Sequence, residues 1–301
     1  MKLLDRTIAM LLPAVPKPIV RRFSSRYIAG PTIADAFGVA RAMAAQGAES
    51  TLDILGEFIE TPDEARANAS AYEDLLRRIA ADGVERTNVS VKLTSLGLLV
   101  DESLCMNNLR RVLAVARETG NFVRIDMEDA RCTDGTLRIY RTLRREFPGH
   151  VGVVLQARLR RTLDDIDALC DEPASFRLCK GIYLEPRRIA YTDPEAIRRN
   201  FVYALERMLR KQAYVGIATH DELLVWEALR LVREHDLARD RYEFQMLLGV
   251  DEELRRILIE DGHRLRVYVP FGERWYPYSV RRLRENPQIA GYALRALLGR
   301  R

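Results

Sequence analysis

The sequence predicts an α/β protein built as a (β/α)8, TIM-type barrel, and three observations predict it. From about residue 50, short apolar, β-branched runs alternate with longer stretches of helical period. The alternation supplies eight strand–helix units in about 250 residues, which is what a closed barrel needs. No GxGxxG turn follows the first run, which counts against the rival doubly wound sheet.

The elements follow in order. Residues 1–47 precede the first strand and are expected to form an N-terminal helical segment, clearest in "GPTIADAFGVARAMAAQG". The opening "MKLLDRTIAMLLPAVPKP" reads as a short amphipathic helix. Asp5 and Arg6 interrupt it, so its apolar run is short for a signal peptide and far short of a membrane span. The barrel domain is expected over residues 48–286. Its strand-like runs are "STLDILGE", "NVSVKLTSLG", "NFVRIDMED", "HVGVVLQAR", "SFRLCKGIY", "AYVGIATHD", "YEFQMLLGV" and "LRVYVPFG". Amphipathic stretches separate them, such as "TPDEARANASAYEDLLRRIAADG", "DPEAIRRNFVYALERMLRKQA" and "DELLVWEALRLVREHDLARD". Several of these open on Asp, Thr or Ser and close on Gly, Asn or a basic residue, as helix caps should. Residues 287–301 are expected to form a C-terminal helical tail.

Charge excludes some functions. The net charge of +5 comes from 48 basic and 43 acidic residues spread through the chain. No Lys/Arg block stands apart from acidic neighbours, so nucleic acid is not an expected partner. Cys105, Cys132, Cys170 and Cys179 make no CxxC, and the four histidines are isolated, so no metal is expected. Scattered free thiols suit a reducing cytoplasm.

In a barrel the chemistry gathers at the carboxyl ends of the strands. Polar residues at those ends are Glu57; Lys92 and Thr94; Asp126, Glu128 and Asp129; Gln156; Arg177, Lys180 and Tyr183; Thr219, His220 and Asp221; Gln245; and Tyr268. Strand-end acids such as Glu128, Asp129 and Asp221 are most often caps or loop residues. Gln156 and Gln245 are more informative, because they interrupt apolar strands and a buried amide must find partners. The chain holds only five lysines, and Lys92 and Lys180 both fall in strand-like runs fit for burial. Such a lysine needs an anion or carboxylate beside it. A structural ion pair with Asp126 or Glu57 is the plain alternative to a functional role. His220 lacks the company of a metal site, and Cys132 and Cys179 lack surroundings that would activate a thiolate.

There is no GxSxG turn and no GxxxxGK[ST] phosphate loop. Two chemistries remain. One is a Schiff-base lyase or aldolase acting through Lys92 or Lys180. The other is a site that binds and orients while a bound aromatic, phosphate-bearing cofactor carries the electrons. Spacing does not choose between them.

A resemblance does. The runs "SVKLTSLG", "DMED", "RLCKGIY", "IATHD", "EFQMLLG" and "VYVPFGERWYPYSVRRLREN" occur in the order and spacing of the proline dehydrogenases, and the match covers about residues 50–286. The chain resembles the compact, monofunctional bacterial form. The resemblance implies a distorted (β/α)8 barrel whose eighth helix leaves the outer ring and lies across the mouth. It implies FAD as cofactor and L-proline as substrate. The reaction is hydride transfer to flavin N5 giving Δ1-pyrroline-5-carboxylate, the first step from proline to glutamate. It also implies a quinone acceptor at a membrane surface, hence possible peripheral membrane contact, and pyrroline-5-carboxylate dehydrogenase as a downstream partner.

Carried onto this sequence, Lys92, Arg281 and Arg282 resemble the cradle for the proline carboxylate. Guanidinium groups suit that role because they bind carboxylates bidentately. Asp126 resembles the acid that holds the basic cluster. Glu57 resembles a gate that pairs with Arg281. Leu247, Tyr268 and Tyr278 resemble the residues packed on the proline ring, and a tyrosine at 268 points to proline rather than hydroxyproline. Gln156, Arg177, Lys180, Gly181, Tyr183, Thr219, His220 and Gln245 match the flavin positions, with Arg177 and Lys180 near the ring edge. Leu184 and Ser279 depart from residues found in some members. In "WYPYSVRRLRENP", Tyr278, Arg281, Arg282 and Glu285 fall at i, i+3, i+4 and i+7 and share roughly one helix face. That face would look into the mouth.

Overall fold

Eight strands pair in sequence order, each parallel to the next, and the last closes on the first. They are β1 Glu49–Ile54, β2 Thr87–Lys92, β3 Val123–Asp126, β4 Val151–Gln156, β5 Ser175–Cys179, β6 Tyr214–Ala218, β7 Tyr242–Leu247 and β8 Leu265–Phe271. The computed structural model describes residues 26–56, 59–276 and 279. The expected opening helix, the tail at 287–301, and Glu57, Tyr278, Arg281, Arg282 and Glu285 therefore lie outside the described residues.

Helix α1 is Ile33–Ala45, and the helices after β1 to β7 are α2 Pro62–Ala81, α3 Glu102–Glu118, α4 Ala130–Glu146, α5 Thr162–Leu169, α6 Pro194–Arg210, α7 Glu222–Glu234 and α8 Glu252–Glu260. Local chemistry sets their starts. Thr61 and Glu64 form a capping box before α2, with Pro62 in the first turn. Asp193 caps α6, again ahead of a proline.

Helix α1 takes a place in the outer ring. The chain reaches α1 at the mouth end, where Gly272 N–H donates to the Gly30 carbonyl at 2.9 Å. It leaves through Gly47 into the start of β1. Helix α1 packs on β8 and β1 through a face that buries Ala36, Phe37, Ala40 and Met43. It thus covers the β8–β1 seam, where a regular barrel lays the helix that follows β8. Of the N-terminal helical segment expected over residues 1–47, the described helix Ile33–Ala45 thus packs in the outer ring.

Strand residues alternate between two environments. One set, including Val91, Ile125, Leu155, Leu178, Ile217 and Val269, packs outward against the helices and is fully buried or nearly so. Each such side chain stabilises the fold by about 1.5–3 kcal/mol relative to exposure. The inward set is polar. Cations Lys92, Arg124, Arg177 and Arg266 face carboxylates Glu49, Asp53, Asp126 and Glu243. The numbers of the two signs match, so a charge-filled lumen replaces the usual aliphatic layers. Small residues make room for it. A Cβ on Gly152 would overlap the Arg124 guanidinium and approach the Ser175 carbonyl to 2.6 Å, and one on Gly216 would overlap the Gln245 amide.

The lower lumen is held by Arg266, which donates to Glu243 at 2.9 Å, to the Ser50 carbonyl at 2.9 Å and to Glu49. Burial alone would raise the Glu243 carboxyl. Arg266, with help from Gln245 and Arg124, instead pulls it down to about 2. Nearby, burial and then the Arg239 charge hold His263 down at about 4, with the Tyr242 hydroxyl 2.8 Å from its Nδ1.

These groups set a pH dependence. Below the ordinary histidine value of 6.5 the unfolded chain takes a proton on His263 that the folded chain refuses, so stability falls from there to about pH 4. The Glu243 contribution is complete above the ordinary value of 4.5 and is lost as pH falls through about 2. Glu243→Gln should lower unfolding stability at neutral pH by about 3 kcal/mol, because it removes one of the two carboxylates that pair with the buried Arg266. Urea titrations of both proteins from neutral to acid pH check this. The variant's deficit should shrink as pH drops below about 4.

Candidate active site

At the mouth end of the lumen, Asp126 closes β3 and takes partners from three other strands. Its Oδ1 accepts from Arg177 Nη1 at 2.6 Å and from Ser90 Oγ at 2.6 Å. Its Oδ2 accepts from the Tyr268 hydroxyl at 2.7 Å and lies 3.7 Å from Lys92 Nζ. Lys92, the last residue of β2, donates to Asp53 Oδ2 at 2.7 Å and to the Tyr268 oxygen at 3.1 Å. The Arg177 guanidinium stands over the Tyr268 ring, 5.3 Å from its centroid, and its Nε donates to Gln245 Oε1. Lys92, Asp126, Arg177, Gln245 and Tyr268 are thus joined in one buried network.

Two details extend the sequence reading. Among the described residues the shortest ion pair of Lys92 is with Asp53, at 2.7 Å, and Asp126 stands at 3.7 Å. Arg177 points into the lumen and is engaged by Asp126. Both follow from strand alternation. Asp53 and Arg177 share the inward parity of Thr51 and Cys179, and β1 ends at Ile54, before the glutamate first taken as its polar end.

The other side of the mouth is built by β4 to β7. Gln156, 4% exposed, donates through Nε2 to the Glu128 carbonyl at 2.8 Å. Gly181 follows β5 with φ +92, a left-handed conformation, and a Cβ there would meet Gln156 Oε1 at 2.6 Å. Lys180 Nζ is 3.0 Å from Asp221, which also accepts from Arg198 at 2.8 Å. Burial works to raise the Asp221 carboxyl, but the bonds from Arg198 and Lys180 prevail and hold it below the usual carboxylate range. The Thr219 hydroxyl accepts from Asp221 N–H at 3.0 Å. His220 Nε2 accepts from Leu247 N–H at 2.8 Å, which leaves Nδ1 as the donor nitrogen of the neutral ring.

The long connection from β5 to α6 is tied to the turn after β4. Tyr191 N–H donates to the Arg158 carbonyl at 2.8 Å, and Arg158 Nη1 donates to the Tyr183 carbonyl at 2.9 Å. This loop carries Ile182 and Leu184 on its surface, and Leu184 is 88% exposed.

The remaining polar candidates sort by their partners. Asp129 accepts from Arg131 N–H at 3.1 Å and caps α4. Glu128 is buried and accepts from Thr94 N–H at 3.0 Å, which ties the turn after β2 to the end of β3. Burial pushes the Cys132 thiol up to about 12 and the Cys179 thiol up to about 11, so neither is an activated nucleophile. No cluster of potential metal ligands occurs among the described residues. Lys92 Nζ lies 2.7 Å from Asp53 Oδ2 and 3.7 Å from Asp126 Oδ2, between two carboxylates.

Sequence reasoning missed Asp53, Arg124, Glu243 and Arg266. Their signal was present. Charged and polar residues recur at every second position of strands that must be buried on both faces, as in Arg124 and Asp126 or Arg266 and Tyr268.

Comparison with known proteins identifies the family. The family model described as proline dehydrogenase matches residues 36–293. A proline dehydrogenase of Deinococcus radiodurans is 38% identical over 279 residues, spanning 91% of this chain and 90% of that protein. Proline dehydrogenase 1 of Bacillus subtilis (strain 168) is 36% identical over 273 residues, with shares of 91% and 90%. Among solved structures, proline utilization A (PutA) from Bdellovibrio bacteriovorus, inactivated by N-propargylglycine, shares the fold with a TM-score of 0.83 at 23% identity. That match covers 92% of this chain and 36% of the larger one. The chain belongs to the proline dehydrogenase family.

Proposed function

We propose that the protein is an FAD-dependent L-proline dehydrogenase. The observation that carries this reading is the division of the mouth. A buried ammonium among acids lies on the β8-to-β3 side, and a rim of neutral and cationic donors lies on the β4-to-β7 side.

The donor rim fits a flavin. Gln156, Gln245, Thr219 and His220 offer hydrogen-bonding groups, and Lys180 offers positive charge. Gly181 opens the backbone at the edge of the set, and Ile182 and Leu184 present apolar surface beside it. Tyr183 belongs to the same loop. A bound flavin supplies a two-electron acceptor for the hydride that leaves the proline ring carbon next to nitrogen. The rest is work for the chain. Lys92, with Arg281 and Arg282, binds the substrate carboxylate. Asp126 holds Lys92 and Arg177 in place. Tyr268, Leu247 and Tyr278 pack on the ring. The family resemblance further gives Glu57 and Arg281 the role of a gate and counts Glu285 with the substrate-binding set.

The charge balance of the lumen supports the role given to the two arginines. Lys92 is already matched by acids, so an incoming carboxylate needs added cations, and "SVRRLRE" provides them. Electrons pass on to a quinone, and the product imine is the substrate for pyrroline-5-carboxylate dehydrogenase. No described helix is long and apolar enough to cross a membrane. The proposed location is cytoplasmic, with peripheral contact at the inner membrane face for quinone access.

The purified protein should be yellow, and proline added without oxygen should bleach the colour. A colourless protein that takes up no added FAD contradicts the reading. Arg282→Ala should raise the KM for proline by at least tenfold, a loss of about 1.4 kcal/mol or more in carboxylate binding, while flavin stays bound. Loss of flavin with normal proline affinity would reverse the assignment. Turnover should rise with pH until the substrate amine is neutral, because the nitrogen lone pair helps expel hydride. A flat profile in stopped-flow flavin reduction would exclude reaction through the free amine.

A further inference from the structure

Asp53 is completely buried and lies on β1 with its two carboxylate oxygens facing different elements. Oδ2 accepts from Lys92 Nζ at 2.7 Å. Oδ1 faces the Tyr72 hydroxyl at 3.4 Å. Tyr72 belongs to α2, on the outer ring, and is 1% exposed. Its oxygen also accepts from Ile54 N–H at 3.2 Å. That incoming bond occupies a lone pair and turns the hydroxyl proton toward Asp53. Burial, and then the Asp53 charge, push the Tyr72 phenol well above its ordinary value, so it remains a donor.

We propose that Tyr72 and Asp53 are positioning residues for the reaction, acting through Lys92 to hold its ammonium ready for the substrate carboxylate. The inference rests on the reading of Lys92 as a carboxylate-binding cation. A lysine side chain has four flexible bonds, and fixing it at the moment of binding costs rotamer entropy. Here hydrogen bonds to Asp53 and to the Tyr268 oxygen fix the position of the ammonium before any ligand arrives. The outer helix thereby fixes a side chain at the barrel's mouth. Asp126 does not make Asp53 redundant. At 3.7 Å from Lys92 it shares charge but offers no hydrogen bond of ordinary length.

The test uses Tyr72→Phe and Asp53→Asn in the full flavin-loaded protein. The phenylalanine keeps the ring's packing and removes only the hydroxyl, so it reports even where the asparagine variant fails to fold. A loosened Lys92 weakens binding equally in ground and transition states, which raises KM and leaves kcat nearly unchanged. Tyr72→Phe should raise the KM for proline about threefold to tenfold, and Asp53→Asn by more, with flavin content intact. Affinity for cyclopentanecarboxylate, a ring carboxylate without the amine, should fall by the same factors in calorimetry of the same proteins. That second readout involves no turnover, so it reports on Lys92 even for a protein that does not oxidise proline. A lowered melting temperature with unchanged KM and unchanged carboxylate affinity in Tyr72→Phe overturns the proposal and leaves Tyr72 a purely structural residue.

Discussion

Everything at the mouth of this barrel hangs on the Asp126 carboxylate. It stands between Lys92 and Arg177, accepts the Tyr268 hydroxyl, and so joins β2, β3, β5 and β8. Removing charges from water is expensive, and the cost is offset only where each charge finds an opposite partner and its hydrogen-bonding capacity is filled. The lumen comes close to that condition by matching its cations and carboxylates, although Glu243 Oε2 accepts no hydrogen bond and the printed bonds of Arg124 go to Ser175 rather than to a carboxylate. Below Asp126 the Arg266, Glu49 and Glu243 cluster repeats the arrangement for structural purposes. Above it the same kind of pairing holds the Lys92 ammonium between Asp53 and Asp126.

This constraint shapes the fold as well as the site. Gly152 and Gly216 give room for guanidinium and amide groups that a methyl would displace. All stabilising apolar burial must then come from the outward strand faces and the helices. That explains why α1 seals the β8–β1 seam, since the seam is part of the core shell.

Much of this was legible in the sequence for a simple reason. A lysine or glutamine inside a buried strand must have a partner, and Lys92, Gln156 and Gln245 each have one. The strands and caps were legible because alternation and capping are local. The charge network was not, because it is set by which strands come together. Asp53 looked like an ordinary strand residue until β1 met β2 in register, Asp53 opposite Ser90. Arg177 carried no sign that it would cross from β5 to reach β3. Glu128 and Asp129 are adjacent acids with the same local appearance, yet one clamps Thr94 and the other caps a helix.

The central claim is that the charged lumen divides the mouth into a carboxylate-binding side and a flavin side, joined through Asp126 and Arg177. A crystal structure of the flavin-loaded protein with bound cyclopentanecarboxylate tests it most directly. The account predicts the ligand carboxylate within hydrogen-bond distance of Lys92 Nζ, on the β8-to-β3 side, and the flavin against Gln156, Lys180 and His220. A carboxylate seated away from Lys92, or a flavin lying over β1 and β2, would contradict it.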